Sequence, residues 1–336
     1  MIPTRIAGRR LAGPVVTALA GLLALSQSAL SQDWPAKNIT LIVPFAAGGG
    51  IDGSARVQAL ALAEVLKQGV IVENIGAAGG TVGTGRAAKA APDGYTLLIG
   101  NSGTHAYAAT LYKNLPYDPI KDFEPVAITT DSPRILVVRK DLPVSNLKEF
   151  IAYAKANQAK MQYASAGVGS GTHLPCTLLN TVMGVNIVHV PYRGAGPAMQ
   201  DLIGGRVDFM CDTIQTGAEQ AKGGTVKGLA VMAPKRVPII DLPTTEEAGL
   251  PGVEATVWNG FFYPKGTPRD IVSKMNKALN EMIERPDVKK RMGELGLEVL
   301  PPVQRTPEYL AAFLPKDIER WGKVIKQAGL AGIAGK

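Results

Sequence analysis

The stretch Thr40-Leu-Ile-Val-Pro-Phe-Ala-Ala-Gly-Gly-Gly-Ile-Asp-Gly-Ser-Ala-Arg56 decides the fold. Its first part, residues 40–45, is rich in β-branched and apolar residues and leads into a glycine cluster, which predicts a short buried strand. The glycines at 48–50 then let the backbone turn tightly. An amphipathic helix follows, and we expect Asp52 or Ser54 to cap it.

A strand, a glycine loop and a helix N-terminus in this order direct free peptide N–H groups and a partial positive charge at one spot. Such a spot suits an anion. A tight turn without a ligand explains the same pattern, and nothing in the stretch distinguishes phosphate from carboxylate.

The same order of features recurs later in the chain. Residues 162–165 are predicted to form a strand, residues 166–173 (Ala-Gly-Val-Gly-Ser-Gly-Thr-His) form a second glycine loop, and a helix is expected over 172–183. Two such devices indicate two similar lobes, each offering a helix N-terminus. An anion site shared between the lobes is therefore favoured over either loop alone.

Three further polar positions follow predicted strands. The loop Asn101-Ser-Gly-Thr-His105 lies at the carboxyl end of a strand, where ligands of open α/β sheets bind. Arg193, on a loop, is placed either to pair with a carboxylate or to form a surface salt bridge. Asp212, at another strand end, is expected to accept from a ligand or to hold Arg193.

The composition fits an exported protein. Of the 336 residues, 46% are hydrophobic, which is enough for two domains. A basic start and a short apolar run over residues 1–31 predict a signal peptide cleaved near Ser31. The leader holds three arginines and no acid, so its removal lowers the net charge from +8 to +5. This small excess of positive charge is scattered along the chain, which argues against nucleic-acid binding.

Metal and nucleotide sites are not expected. The two cysteines, Cys176 and Cys211, form either a disulfide or two buried thiols. With three scattered histidines they show no metal-ligand spacing. A GxGxxA pattern at Gly83-Thr-Gly-Arg-Ala-Ala88 lacks the strand and the acid that a dinucleotide site needs. We therefore expect no cofactor.

Further elements are predicted from the periodicity of apolar residues and from the positions of proline and glycine. Residues 114–126 look like a proline-punctuated connector, and residues 135–138 a strand that crosses into the second lobe. Residues 268–293 and 306–328 are predicted to be two amphipathic helices. Trp258 is assigned to the core.

The ordered set of motifs resembles the substrate-binding proteins of tripartite tricarboxylate transporters, the Bug or TctC-like family. The resemblance covers nearly all of the chain after the leader. It rests on Trp34-Pro, Val43-Pro-Phe-Ala-Ala-Gly-Gly-Gly-Ile-Asp52, Val72-Glu-Asn74, Pro92-Asp-Gly-Tyr-Thr96, Leu111-Tyr-Lys-Asn-Leu-Pro-Tyr-Asp118, Asp122-Phe, Ser170-Gly-Thr-His173, His189-Val-Pro-Tyr-Arg-Gly194, Gly205-Arg-Val-Asp208, Gly249-Leu-Pro-Gly252 and Lys265-Gly-Thr-Pro268.

The resemblance implies an α/β, type II periplasmic binding protein fold with two doubly wound lobes and a ligand cleft between them. Residues 32–133 plus 253–336 would form lobe 1 and residues 134–252 lobe 2. It also implies a monomeric, non-enzymatic periplasmic protein that passes a small carboxylate to a membrane permease. Gly53 and Ile75-Gly-Ala-Ala depart from the polar residues usual in the family, so the particular acid stays open.

Carried onto this sequence, the resemblance and the loops give one set of candidate ligand-binding residues. They are Phe45, Ala47, Gly48, Gly49, Gly50, Asp52, Asn101, Ser102, Ser165, Gly169, Ser170, Thr172, His173, Arg193 and Asp212.

Two other functions are compatible with parts of the sequence. A sensor that presents the same ligand to a membrane receptor would use the same closed surface. A secreted hydrolase would need Ser170 with His173, or Ser102 with His105, as nucleophile and base. No G-x-S-x-G elbow surrounds these serines, which disfavours the hydrolase.

Overall fold

The computed structural model describes residues 1–4 and 34–332. The predicted cleavage position after Ser31 and the apolar part of the leader lie outside these residues. The contacts divide the chain after Ala36, and the fold described below is that of residues 37–332. Within the described residues, no helix combines the length and apolar character that crossing a membrane requires.

The first lobe begins with three parallel strands in the order β2-β1-β3. These are β1 (Ile39–Val43), β2 (Val70–Asn74) and β3 (Thr96–Asn101), joined by helices α1 (Gly50–Leu66) and α2 (Thr81–Ala88). Every residue of β1 except Thr40 is buried. This burial explains the continuous apolar run of the opening stretch.

A longer strand follows where the sequence predicted a connector. After a π-helical turn (Gly103–Tyr107) and α3 (Ala108–Leu111), β4 runs over Phe123–Arg139. The connector prediction is therefore wrong for its last residues. Pro125 lies where the register between β4 and the returning strand shifts, a place where a strand tolerates proline.

The second lobe repeats the plan of the first. Strands β5 (Gln162–Ser165), β6 (Val188–Pro191) and β7 (Phe209–Thr213) pair in parallel in the order β7-β5-β6, and β8 (Val226–Met232) pairs with β4. Its helices are α4 (Leu147–Asn157), α5 (His173–Met183), α6 (Ala195–Ile203) and α7 (Ile214–Lys222). The sequence did not predict α7.

The chain then returns to the first lobe. β9 (Thr256–Pro264) pairs antiparallel with β3 and β4, and β10 (Glu298–Val299) pairs with β4. The helices are α8 (Arg269–Glu284), α9 (Pro286–Glu294) and α10 (Pro307–Gln327). The single helix predicted over 268–293 is wrong, because Pro286 cannot continue α8 and starts a new helix instead.

Strand β4 belongs to both lobes. Up to Pro133 it pairs with β9, and from Arg134 onward it pairs with β7 and β8. Trp258, on β9, is buried in the first-lobe core as predicted, and its indole N–H donates to Asp317. The molecule is thus an α/β protein with two doubly wound lobes and a cleft between them.

Candidate functional site

The first glycine loop is held by its own side chains. Gly49 is the N-cap of α1 and supplies no side-chain cap, so the predicted cap by Asp52 or Ser54 is wrong. Asp52 instead accepts hydrogen bonds from the Gly48 N–H at 3.0 Å and the Asn74 amide at 2.9 Å, and pairs with Arg56. Burial opposes ionisation of Asp52, but these bonds outweigh it and lower the pKa of Asp52 from its ordinary value.

The second glycine loop is held in a similar way. Thr172 Oγ1 accepts from the Ala166 N–H at 2.8 Å, and Ser165 Oγ accepts from the Gly167 N–H at 3.1 Å. His173 Nδ1 accepts from the Gly169 N–H at 3.2 Å. These side chains shape the loop and leave the start of α5 without a side-chain cap.

The two lobes meet at these loops. The Ala46 N–H donates to the Arg193 carbonyl at 3.3 Å, which joins the first loop to the second lobe. A Cβ on Gly50 would lie 2.2 Å from Thr213 Oγ1, and one on Gly79 would lie 1.9 Å from the Val168 carbonyl oxygen. The lobes are therefore in contact, and the cleft is closed.

A small cavity remains between them, with a volume of about 30 Å³. This is about the space of one water molecule, so the lining must move to make room for an organic acid. The residues lining the cavity are Phe45, Gly49, Gly50, Ile51, Asn101, Ser132, Arg134, Ala166, Ser170, Gly171, Thr172, Ala195, Thr213, Gln215 and Asn259.

The structure brings part of the predicted set to this cavity. The predicted residues that line it are Phe45, Gly49, Gly50, Asn101, Ser170 and Thr172. The predicted residues that lie outside the lining are Ala47, Gly48, Asp52, Ser102, Ser165, Gly169, His173, Arg193 and Asp212. Of these, Gly48, Asp52, Ser165, Gly169 and His173 act inside the loops, as described above.

Arg193 and Asp212 do not form the predicted pair. The Arg193 side chain is exposed, and only its carbonyl group reaches the first loop. Asp212 is fully buried and accepts from the Thr216 hydroxyl instead. Burial raises the pKa of Asp212 to about 6. The expectation that Asp212 holds Arg193 is therefore wrong.

Arg134 is the charged residue of this cavity's lining, and the sequence reasoning missed it. It follows Pro133 at the point where β4 changes partners, and its exposed fraction is 2%. Nε donates to the Gly171 carbonyl at 2.8 Å, and Nη1 donates to Ser132 Oγ at 3.1 Å. Burial lowers the pKa of Arg134 to about 10, so the side chain stays cationic at neutral pH.

A second set of missed residues shares one property, a buried polar side chain facing the cavity. Ser132 Oγ donates to Gln215 Oε1 at 3.2 Å, and Asn259 donates to Thr130 Oγ1 at 3.3 Å. Alternation with Asp131 and Pro133 before an apolar strand places Ser132 and Arg134 on one face of that strand, but it does not say which face meets the cavity.

The serines and histidines considered for a hydrolase do not pair as nucleophile and base. Ser170 Oγ lies 3.1 Å from Thr172 Oγ1, and His173 is occupied by the Gly169 N–H. His105 is fully buried and stacks on Phe262 at 3.9 Å between ring centroids. Burial lowers the pKa of both histidines to about 3, so both are neutral.

The two cysteines are joined. A disulfide links Cys176 on α5 to Cys211 on β7, and both residues are fully buried in the second-lobe core. α5 begins directly after the second glycine loop, and β7 ends at Thr213, which lines the cavity. The bond therefore ties β7, which carries the lining residue Thr213, to the helix that directly follows the lining residues Ser170, Gly171 and Thr172.

A larger groove, of about 700 Å³, lies on the other face of β4 and is lined by Asp131 and Pro133. Charged side chains along it pair with acids, as Lys235 does with Glu298 at 3.6 Å. The glycine loops do not contribute to this groove, so we assign the candidate site to the cavity between the lobes.

The family model for the tripartite tricarboxylate transporter family receptor matches residues 54–330. The chain belongs to this family. Its members are periplasmic solute-binding proteins, which places the protein in the periplasm.

Solved structures of relatives have the same fold. The periplasmic binding protein BugD is 41% identical, with a TM-score of 0.86 over 89% of this chain and 99% of BugD. MatC from Rhodopseudomonas palustris, with bound malate, is 42% identical, with a TM-score of 0.83 over 87% of this chain and 100% of MatC. R. palustris Rpa4515, with adipate, is 35% identical, with a TM-score of 0.85 over 89% and 99% of the two chains.

Proposed function

We propose that this protein captures a small carboxylate-containing compound in the cavity between its lobes and delivers it to a tripartite tricarboxylate-type permease. Lobe 1 comprises residues 32–133 and 253–336, and lobe 2 residues 134–252. The change of strand partners at Pro133 and Arg134 supports this boundary. We further propose that the protein acts as a monomer.

The observation that carries the proposal is the convergence of four helix N-termini on one cavity. Gly50 opens α1, Thr172 precedes α5, Ala195 opens α6, and Thr213 precedes α7; all four residues line the cavity. None of these helices has a side-chain cap bond. Uncapped N–H groups and aligned helix dipoles favour a negatively charged ligand there.

The size of the closed cavity supports a capture mechanism. The lobes must separate to admit the acid and then close around it, which removes water from the polar lining. A micromolar Kd requires about 8 kcal/mol, and a few charge-assisted hydrogen bonds in a dry site supply a free energy of that size. The malate and adipate in the two R. palustris relatives support a carboxylate as the ligand.

Isothermal titration calorimetry tests the proposal. The mature protein is unfolded, stripped of retained ligand and refolded, and is then titrated with malate, adipate, citrate, aspartate and benzoate. We expect a micromolar Kd for at least one acid and no binding of malamide, the neutral diamide of malate. Absence of binding across the acid panel would contradict the proposed function.

A further inference from the structure

Arg134 occupies a special position on the strand that connects the lobes. Along β4, Ser132 and Arg134 line the cavity, while Asp131 and Pro133 line the groove behind it. This alternation follows from the two-residue period of a strand. The guanidinium is therefore delivered to the cavity by backbone that both lobes share.

The charge of Arg134 has no resident counter-ion. Within the described part of the chain, no carboxylate lies within ion-pair distance of its guanidinium, although Asp212 and Asp131 act on it from further away. Its identified hydrogen-bond partners are neutral, the Gly171 carbonyl and the Ser132 hydroxyl. Burying a cation without an anion is unfavourable, and a partner that brings an anion removes this penalty.

The guanidinium is separated from the N-terminus of α1 by two side chains. Gln215 Oε1 lies 3.0 Å from the position that a Cβ on Gly50 would take, and Ser132 Oγ lies 3.2 Å from Gln215 Oε1. Arg134 Nη1 then lies 3.1 Å from Ser132 Oγ. The cavity thus holds two separate centres that attract negative charge, the helix N-terminus and the guanidinium.

We propose that Arg134 is the specificity-determining residue of this site and pairs with a second acidic group of the ligand. Resting on the proposed function, this assignment makes the ligand a dicarboxylic acid. One carboxylate lies against the peptide N–H groups of the glycine loops. The other lies against Arg134, which Ser132 and the Gly171 carbonyl hold in a fixed orientation suited to a carboxylate.

The test compares matched acids that differ by one carboxylate. Kd values for succinate and butyrate, and for adipate and hexanoate, are measured with the wild type, Arg134→Gln and Arg134→Lys. We expect the wild type to prefer each diacid, and Arg134→Gln to lose about 10- to 100-fold in diacid affinity with little change for the monoacids. Arg134→Lys keeps the charge without the planar fork and should recover part of the loss.

Arg305→Gln is the matched control. Arg305 is equally buried, with an exposed fraction of 1%, but it pairs with Glu284 away from the cavity. This variant measures the effect of removing a buried guanidinium on folding, and thermal melts of all variants accompany the titrations. We expect its ratio of diacid to monoacid affinity to equal that of the wild type.

The outcomes separate the two proposals. A wild type that binds no acid contradicts the proposed function itself. A wild type that binds butyrate as tightly as succinate, and hexanoate as tightly as adipate, overturns the role of Arg134 even if no variant folds. Equal losses for diacids and monoacids in Arg134→Gln also overturn it, because the residue would then only support closure.

Discussion

At Gly50 the first glycine loop touches the second lobe with no space for a side chain. A Cβ there would lie 2.2 Å from Thr213 Oγ1 and 2.8 Å from Thr213 Cβ, closer than atoms approach without displacement. A Cβ on the neighbouring Gly49 would lie 3.4 Å from Ala195 Cβ, an ordinary van der Waals distance. Contact between the lobes therefore requires a glycine at position 50 but leaves room for a methyl group at position 49.

Gly50→Ala is expected to prevent full closure and to weaken binding of the best acid by about 10-fold or more, because α1 and β7 can no longer approach as closely. Gly49→Ala is the control and should bind within about 3-fold of the wild type, since its φ of −90° suits alanine. Calorimetry gives the Kd of each variant, and small-angle scattering shows how far the lobes close when the acid is bound. Equal acid affinity of Gly50→Ala and Gly49→Ala would contradict the prediction that tight binding needs the close contact between Gly50 and Thr213.

From the sequence, the loops and helix starts of the site could be predicted better than the side chains that line it. Glycine loops and helix starts have local signatures, so both loops were found. The roles of Arg134 and Ser132 depend on which face of β4 meets the cavity, which only the sheet pairing decides. Asp52 was expected at the ligand, but it is engaged within the loop by Arg56, one turn later on α1, and by Asn74 at the end of β2.

At the scale of elements, the sequence failed where long-range packing overrides a local signal. Pro125 predicted a connector, yet β4 carries it at a register shift against β9. α7 contains a single large apolar residue, Ile214, and its other buried residues include Gln215, which faces the cavity, and Gly217, which faces β4. By contrast, β1, β5, α1 and α5 follow local patterns, and each was placed close to its observed bounds.

The disulfide between α5 and β7 is expected to stabilise the second lobe and to fix the spacing of its lining residues. For a loop closed by cysteines 35 residues apart, the chain-entropy relation gives about 4 kcal/mol of stabilisation. Urea unfolding of wild type and Cys176→Ala/Cys211→Ala should show a loss of about this size. The double variant should also bind acids more weakly, because the start of α5 is less well positioned relative to Thr213.

One control makes the disulfide prediction specific. Wild type reduced under unfolding conditions and refolded with reductant present has the native side chains without the bond. It should match the double variant in acid affinity. If the free energy of unfolding falls while the affinity of both forms stays at the wild-type value, the bond stabilises the lobe without organising the site.

At the scale of the whole molecule, the side chain of Tyr112 links the two lobes. The Tyr112 hydroxyl lies 2.7 Å from the Val168 carbonyl of the second glycine loop and 2.6 Å from the Ala78 carbonyl of the first lobe. Burial raises the pKa of Tyr112 to about 12, so the proton is retained at neutral pH. The hydroxyl has one proton, which it donates to Val168 only when the lobes are closed.

Tyr112→Phe removes this bond between the lobes and leaves the ring in place. Without this hydrogen bond the closed state should be about 1 kcal/mol less stable, so the ligand should dissociate several-fold faster. The association rate should not change, because the open state lacks the contact with Val168. Stopped-flow fluorescence with the best-binding acid measures both rates. Tyr117→Phe is the matched control, because its hydroxyl donates to the Thr104 carbonyl within the first lobe. A dissociation rate that rises equally in both variants, or in neither, would show that Tyr112 does not latch the closed state.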